Sequence, residues 1–169
     1  MHKFEFCFQK NEQELYGYNK EKETIKNLIA ELFKNDNDII ANLEETMEHL
    51  DFIFSQEKNK SFLLLNIEDN ELVCMVNFLE YNNVLKDWCL FSVFTKKEKR
   101  KKGYAKDIIK EGIKIVKENK GNRIIAGIEY DNIPSQQLHE KLGFKYYGLD
   151  WDEIDDGFPE KHKAYIWRC

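Results

Sequence analysis

The residues with the clearest chemical potential form a basic segment at positions 96–105, which reads Lys-Lys-Glu-Lys-Arg-Lys-Lys-Gly-Tyr-Ala. It follows an apolar run typical of a strand and precedes a segment with helical apolar spacing. Backbone N–H groups in the first turn of a helix lack an intrahelical acceptor, and the helix dipole favours negative charge there. Gly103 stands where this turn would begin. The segment therefore predicts a site for a phosphate-bearing ligand, although a charge run on its own is typical of a solvated loop.

The elements on either side of this segment must position it. An apolar strand, Trp88–Thr95, is predicted to lead directly into it. The segment after Gly103 has apolar residues on one helical face and charged residues on the other, which predicts an amphipathic helix. This helix is expected to stop near Asn119, with Gly121 supplying a left-handed cap.

A second strand and a short helix follow. Isoleucines within Arg123–Tyr130 indicate a strand. Pro134 suits the first turn of a helix over Ser135–Lys141, and Gly143 is expected to end that helix. Elsewhere the patterns predict a strand at 4–8, helices at 19–33 and 39–54, strands at 61–67 and 72–81, and final strands at 144–151 and 164–167. We expect one mixed α/β domain over residues 1–169.

Composition excludes several broad classes. The chain has 169 residues, 42% of them hydrophobic and 14% aromatic, which is typical of one folded domain. The net charge of −5 argues against a nucleic-acid partner for the basic segment, and no apolar run is long enough to span a membrane. Four scattered cysteines without Cys-x-x-Cys spacing predict reduced thiols in a cytoplasmic protein.

The common nucleotide and metal motifs are absent. Gly103 has no companion glycines, so neither Gly-x4-Gly-Lys-Ser/Thr nor Gly-x-Gly-x-x-Gly is present. No two histidines have metal-ligand spacing, so we expect no metal. Ser135 and His139 are four residues apart and could face each other on a helix, but no Gly-x-Ser-x-Gly turn presents the serine as a nucleophile.

Two segments together resemble the GNAT superfamily of N-acetyltransferases. The acetyl-CoA motif of that family, Arg/Gln-x-x-Gly-x-Gly/Ala, is matched at Arg100, Gly103 and Ala105. The segment from Asn132 to Phe144 resembles the second signature of the family, at the expected distance. The resemblance covers roughly residues 88–148. It implies a mixed, mostly antiparallel, central sheet of about seven strands flanked by about four helices.

The resemblance also implies how the chain would bind acetyl-CoA as a co-substrate. Backbone amides of the basic segment would wrap the pyrophosphate, with lysines 97, 99 and 101 near the ribose phosphate. The end of the strand before the segment would pair with the pantetheine arm, and Asn132 would hold the arm from the other side. The expected binding residues are Val93, Phe94, Thr95, Arg100, Lys101, Lys102, Gly103, Tyr104, Ala105, Lys106, Asn132 and Ser135.

The catalytic groups are less well defined by the resemblance. The family commonly uses a tyrosine as acid toward the CoA sulfur, and this chain has His139 at that position. Imidazole can donate a proton near neutral pH, so His139 is the candidate acid, with tyrosines 146, 147 and 165 as alternatives. Glu129 is the candidate base. Asp87 and proton loss through ordered water are the other routes considered.

The sequence therefore predicts an enzyme that transfers an acetyl group to a primary amine of a small molecule or peptide. Six acidic residues between positions 150 and 160 would suit a cationic acceptor, although an exposed acidic turn without a binding role is equally consistent with them. The alternatives are a CoA-binding sensor without transferase activity and a phosphate patch for nucleic acid. We expect a monomer or homodimer with no nucleic-acid or membrane partner.

Overall fold

The computed structural model describes residues 4–10, 14–16, 22–34, 47–48, 61–69, 71–148 and 162–168. In these ranges the strands are β1 (Phe4–Lys10), β2 (Glu14–Tyr16), β3 (Ser61–Glu68), β4 (Glu71–Asn82), β5 (Asp87–Thr95), β6 (Arg123–Glu129), β7 (Lys145–Gly148) and β8 (His162–Arg168). The helices are α1 (Lys22–Lys34), α2 (Tyr104–Glu118) and α3 (Ile133–Lys141), with a 3₁₀ helix at Lys97–Lys99.

All eight strands belong to one sheet, in the order β2-β1-β3-β4-β5-β6-β8-β7. Every neighbouring pair in this described sheet is antiparallel except β5 and β6, which are parallel. The parallel pair is short, running from Asp87 opposite Arg123 to Leu90 opposite Ala126. Beyond it β6 continues along β8 to Glu129, whereas β5 continues only along β4. The two strands are therefore unpaired with each other at their carboxyl ends.

Side chains of alternate strand residues build a core on each face of the sheet. The larger core packs α2 against strand residues that include Phe78, Trp88 and Ile124. The other face packs α1, through Ile29 and Phe33, against residues of β3 and β4. The sheet is thus covered by α2 on one face and α1 on the other, and the gap between β5 and β6 opens beside the start of α2.

Most predicted elements are confirmed within the described residues. The mixed, mostly antiparallel sheet is as expected, with eight described strands where about seven were predicted. Strand β2 is the addition, since no sequence pattern indicated it. Of the predicted second helix at 39–54, only residues 47–48 are described, and both are helical. Residue 19, where the first predicted helix was expected to begin, and the acidic residues 150–160 lie outside the described residues.

The predicted cap of α2 is wrong in its detail. The left-handed residue after the helix is Lys120, with φ 59°, and Gly121 is not left-handed. Gly121 is instead required by close packing, because a β-carbon there would overlap Val116 and Trp88. Gly143 does adopt the expected left-handed conformation after α3, with φ 91°.

Two cysteines are described with their surroundings, Cys74 and Cys89, and both are buried thiols, as predicted. Burial raises the pKa of the Cys74 thiol to about 12, so this thiol is an inert core group. Among the described helices, none is long and apolar enough to cross a membrane.

Candidate functional site

The end of β5 is shaped by a β-bulge. Between Phe91 and Phe94 this strand has one residue more than the facing segment of β4, and Ser92 takes a left-handed φ of 52°. Val93 packs against the α2 core, while the Phe94 ring contacts the ring of Phe33 on α1 at 4.6 Å between centroids. Because these side chains point to opposite faces, the backbone edge of β5 is what borders the gap toward β6.

The basic segment turns back on the end of β5. After the 3₁₀ helix, Arg100 Nε donates a hydrogen bond to the Thr95 carbonyl at 3.1 Å. The Thr95 hydroxyl is 3.1 Å from Cys74 Sγ. Lys101 and Gly103 are both left-handed, with φ of 61° and 92°. This sequence of turns brings the chain to the start of α2 next to the gap.

The start of α2 has the properties of an anion site. Gly103 is the N-cap residue, and its carbonyl accepts the N–H of Asp107 at 3.0 Å. The N–H groups of residues 104–106 precede this first helical bond and so have no acceptor within the helix. A β-carbon at Gly103 would have no described heavy atom within 4 Å. An open cradle beside N–H groups that lack an intrahelical acceptor fits a diphosphate.

Part of the positive charge of the segment is neutralised by the β3–β4 hairpin. Lys96 Nζ is 2.6 Å from Glu71 and 3.0 Å from Glu98, and Lys99 Nζ is 2.8 Å from Glu68. These hydrogen bonds raise the pKa values of both lysines, so both are charged at neutral pH. The side chains of Lys101 and Lys102 are exposed. Lys99, expected near a ribose phosphate, is therefore bound to a carboxylate, and lysines 101 and 102 extend to solvent.

Asn132 and Ser135 begin α3. The Asn132 side-chain oxygen accepts the Ser135 N–H at 3.2 Å, which is an N-cap contact. Gln136, almost fully buried, donates to the carbonyls of Glu129 and Tyr130 at 3.0 and 2.9 Å. The amino end of α3 is thereby tied to the end of β6, on the far side of the gap from β5.

His139 is buried in this helix, with 1% of its surface exposed. Its Nδ1 is 2.8 Å from the Ser135 carbonyl, which can only accept, so Nδ1 carries the proton. The Ser135 hydroxyl is farther away, 3.4 Å from the same nitrogen. Nε2 is buried without a hydrogen-bond partner, and burial lowers the pKa of the ring. The imidazole is therefore neutral at neutral pH, with its unprotonated Nε2 enclosed in the protein.

The alternative proton donors differ in exposure. The Tyr165 hydroxyl is buried and donates to Glu140 at 3.4 Å, and burial raises its pKa. Tyr146, whose ring lies 5.7 Å from that of Tyr165, is 48% exposed, and Tyr147 is 55% exposed. Tyr165 thus remains a protonated phenol at neutral pH.

The two candidate carboxylate bases lie at opposite ends of the parallel strands. Glu129 is exposed at the carboxyl end of β6, beside the gap. Asp87 begins β5 and is buried in an ion pair with Arg123, 2.7 Å away. Since Asp87 is at the opposite end of β5 from the bulge, the structure separates it from the candidate site and leaves Glu129 near it.

A comparison with protein-family models decides which family this arrangement represents. The model described as the acetyltransferase (GNAT) family matches residues 23–144, which include all but the first residue of α1, the basic segment and α3. The chain belongs to the GNAT acetyltransferase family. The resemblance seen in the sequence is confirmed, and so is the prediction of an acetyltransferase.

Solved structures show the same fold. This acetyltransferase is similar to a probable acetyltransferase from Staphylococcus epidermidis, at 18% identity and a TM-score of 0.70, over 99% of each chain. It is also similar to aminoglycoside 6′-acetyltransferase type Ii, at 16% identity and a TM-score of 0.67, over 89% of this chain and 94% of that one. Ribosomal-protein-alanine N-acetyltransferase from Brucella melitensis is similar at 20% identity and a TM-score of 0.57, over 85% of this chain and 90% of that one. A search of curated proteins found no match.

Sequence reasoning missed two residues that shape the candidate site. Glu68 ends β3 and contacts both Lys99 and Tyr104 of the basic segment. Gln136 ties α3 to β6, and its own oxygen accepts from Lys163 at 3.1 Å. Glu68 carried no sequence signal, because a glutamate beside a turn is usually solvated. Gln136 had a weak signal, since a polar residue on the apolar side of a short helix requires buried partners.

Proposed function

We propose that this GNAT acetyltransferase moves an acetyl group from acetyl-CoA to a primary amine of a cationic small molecule or peptide. The observation that carries the donor assignment is the gap between the carboxyl ends of β5 and β6, which leads to the open, glycine-capped start of α2. A strand edge followed by a diphosphate cradle suits a ligand with an amide-bearing arm and a pyrophosphate.

The residues that would hold the donor fall into three groups. The backbone edge at Val93 and Phe94, with Thr95, would pair with the pantetheine arm. The backbone from Arg100 to Lys106 would surround the pyrophosphate, with the exposed side chains of lysines 101 and 102 adding positive charge. The capped amino end of α3, at Asn132 and Ser135, would border the arm from the β6 side.

Acetyl-CoA would supply the acyl group as a thioester. In the transfer, the carbon–sulfur bond breaks and a carbon–nitrogen bond forms, while the amine loses one proton and the thiolate gains one. We propose His139 as the group that accepts that proton and returns it to the sulfur. Because Nε2 is buried, the bound substrates would have to open a path to it, and the neutral imidazole must be protonated before it acts as an acid. Glu129, exposed beside the gap, is the alternative acceptor for the amine proton.

The proposal of a cationic amine as acceptor rests on the charge of the chain near its carboxyl end. The six acidic residues between positions 150 and 160 would attract a cation. Two enzymes of similar fold are named for an aminoglycoside and for an alanine of a ribosomal protein, so the test uses both small molecules and peptides. Polyamines, an aminoglycoside and short peptides with a free amino terminus form a suitable panel.

The donor assignment is tested by thermal denaturation with and without acetyl-CoA. A ligand that binds the native state raises the midpoint by an amount set by its concentration over Kd. Gly103→Ala should abolish most of this increase, because a β-carbon would fill open space at the residue whose backbone we propose lies close to the pyrophosphate. Release of free thiol with each amine of the panel then measures transfer. An unchanged midpoint for the parent protein would overturn the donor assignment.

Gly143→Ala is a matched control for Gly103→Ala. Both glycines are left-handed, with φ of 91° and 92°, so both variants carry a similar backbone strain of about 1–2 kcal/mol. At Gly143 the added β-carbon meets the Trp167 ring at an ordinary 3.6 Å, outside the cradle. The control should retain the increase with acetyl-CoA. A parent that binds the donor but releases no thiol with any amine would favour the CoA-sensor alternative.

A further inference from the structure

The carboxylate of Glu68 joins the two ends of the tight turn that precedes α2. Its Oε2 accepts from Lys99 Nζ at 2.8 Å, and its Oε1 accepts from the Tyr104 hydroxyl at 2.8 Å. Lys99 ends the 3₁₀ helix and Tyr104 begins α2. One side chain from the end of β3 therefore closes the turn of residues 100–103 from outside.

This turn requires external support. It contains two left-handed residues, Lys101 and Gly103, and the left-handed conformation is unfavourable for a residue with a side chain such as lysine. Both side chains of the Lys99–Glu68 pair are 32% exposed, so water screens the pair less than a fully exposed one. The Tyr104 ring is 8% exposed and part of the α2 core. Glu68 thus connects the turn to a fixed ring and to the sheet.

The neighbouring ion pair lacks this geometry. Glu71 binds Lys96, which precedes the 3₁₀ helix and lies outside the turn. Its own side chain is 67% exposed. Glu71 and Glu68 are therefore carboxylates of the same hairpin with the same charge, and only Glu68 bridges the turn.

We propose that Glu68 is a positioning residue for the acyl-donor site. By holding Lys99 and Tyr104 it orders the backbone N–H groups of the turn before the donor arrives, so less conformational entropy is lost on binding. The inference rests on the proposed function, because the turn would surround the pyrophosphate. Lys99 is then a structural cation of the turn, whereas the exposed lysines 101 and 102 can meet phosphate.

A competing effect acts in the opposite direction. A carboxylate near a phosphate site repels the ligand, so its removal would tighten binding if charge alone mattered. Tyr104→Phe separates the two effects, since it removes one contact of Glu68 and changes no charge at neutral pH. Glu68→Gln removes the charge and keeps an acceptor for the Tyr104 hydroxyl.

The experiment measures the Kd of CoA by calorimetry at one fixed salt concentration, together with the melting temperature without ligand. Glu68→Ala should raise Kd about tenfold and Tyr104→Phe about threefold, as expected for lost hydrogen bonds to a charged group. The Kd of Glu68→Gln should lie between those of the parent and of Glu68→Ala. Glu71→Ala is the matched control, and its Kd should stay within about twofold of that of the parent. The KM for the amine should not change in any variant.

Several outcomes would overturn the proposal. Glu68→Ala with the Kd of the parent would show that the residue does not position the site, and a lower melting temperature with unchanged Kd would assign it a purely structural role. Tighter binding in Glu68→Ala would show that the carboxylate only repels the ligand. If Glu68→Ala does not fold, Tyr104→Phe decides by itself. A parent protein that does not bind CoA overturns the donor assignment as well, whereas a binding parent with unaffected variants overturns this proposal alone.

Discussion

The buried imidazole of His139 has an electrostatic consequence for the whole chain. Its Nδ1–H is bound to the Ser135 carbonyl, its Nε2 has no partner, and its ring contacts Phe144 edge-on at 5.0 Å between centroids. A second proton on this ring would place a charge in an apolar environment. Burial therefore lowers the pKa of His139 below its ordinary value of 6.5.

This shift predicts a loss of stability in acid. Because the pKa is lower in the folded chain, the unfolded chain binds more protons below about pH 6.5, and the free energy of unfolding falls as pH decreases until the folded pKa is passed. The slope from one such group is at most about 1.4 kcal/mol per pH unit. Urea midpoints at several pH values between 7.5 and 5 measure it.

His139→Asn is the informative variant for this prediction. The amide N–H of asparagine can replace the hydrogen bond of Nδ1 to Ser135, and the side chain does not titrate. We expect a flatter dependence of stability on pH for His139→Asn than for the parent. Equal slopes in the two proteins would contradict the assignment. In the transfer assay the same variant should lower kcat while leaving CoA binding unchanged, because it removes the Nε2 that we propose as the proton acceptor.

At the scale of elements, α2 lies directly on β4 at one glycine. A β-carbon at Gly112 would overlap the ring of Phe78, and that ring is stacked on Phe62 at 4.8 Å between centroids. Both rings are buried, so neither can move away without disturbing the sheet. The close approach of α2 to β4 fixes the distance between the helix and the sheet, and with it the position of the first turn of α2 relative to the end of β5.

Gly112→Ala should therefore destabilise the protein by about 1–3 kcal/mol through overpacking, even though alanine favours a helix by about 1 kcal/mol. Chemical denaturation measures the difference. Lys114→Ala, on the exposed side of the same helix, serves as the control and should change stability by no more than about 0.5 kcal/mol. A stability gain for Gly112→Ala would show that the helix is not held this closely.

Elements in which apolar residues recur at a regular spacing were predictable from the sequence, and contacts between distant elements were not. Helix α2 and strand β5 follow from apolar spacing, and the match at Arg100 and Gly103 indicated the glycine-capped start of α2. By contrast, the bridge from Glu68 to Tyr104 joins residues 36 positions apart. No local pattern encodes such a contact, because it exists only after β3 and α2 are packed on the same sheet.

Local conformation was also only partly predictable. The cap after α2 needs a left-handed residue, and the sequence offers Lys120 and Gly121 in succession. Glycine is the usual choice, but Gly121 is used for its small size against Trp88, so Lys120 takes the left-handed position. Both the left-handed position and the close contact with Trp88 favour a glycine, and which of them Gly121 serves is decided by packing that the sequence does not show.

At the scale of the molecule, the sheet consists of two antiparallel parts joined by the short parallel pair of β5 and β6. Strands β2, β1, β3, β4 and β5 form one part, and β6, β8 and β7 form the other. Four residue pairs connect them, and the gap of the candidate site opens just beyond. The stability of this junction therefore determines whether the two sides of the site keep their positions.

The closed end of the junction is held by a buried ion pair. Asp87, 1% exposed, accepts from Arg123 at 2.7 Å, and these residues are the first pair of the parallel register. The Tyr81 hydroxyl also donates to Asp87 at 3.4 Å, and burial, with the charge of Asp87, raises the pKa of Tyr81 to about 12. Removing one partner would leave a buried charge without compensation.

Arg123→Met should thus lower the free energy of unfolding by about 3–5 kcal/mol, because the Asp87 carboxylate loses its partner inside the protein. The exposed pair of Lys114 with Glu111 is the control, and Lys114→Met should cost less than about 1 kcal/mol. Adding Asp87→Asn to Arg123→Met should recover part of the loss, since it removes the unpaired charge. If the single and double variants were equally unstable, the arginine would act through packing rather than charge. The less stable variant should also bind CoA more weakly, because the pair closes the junction from which the two walls of the site diverge.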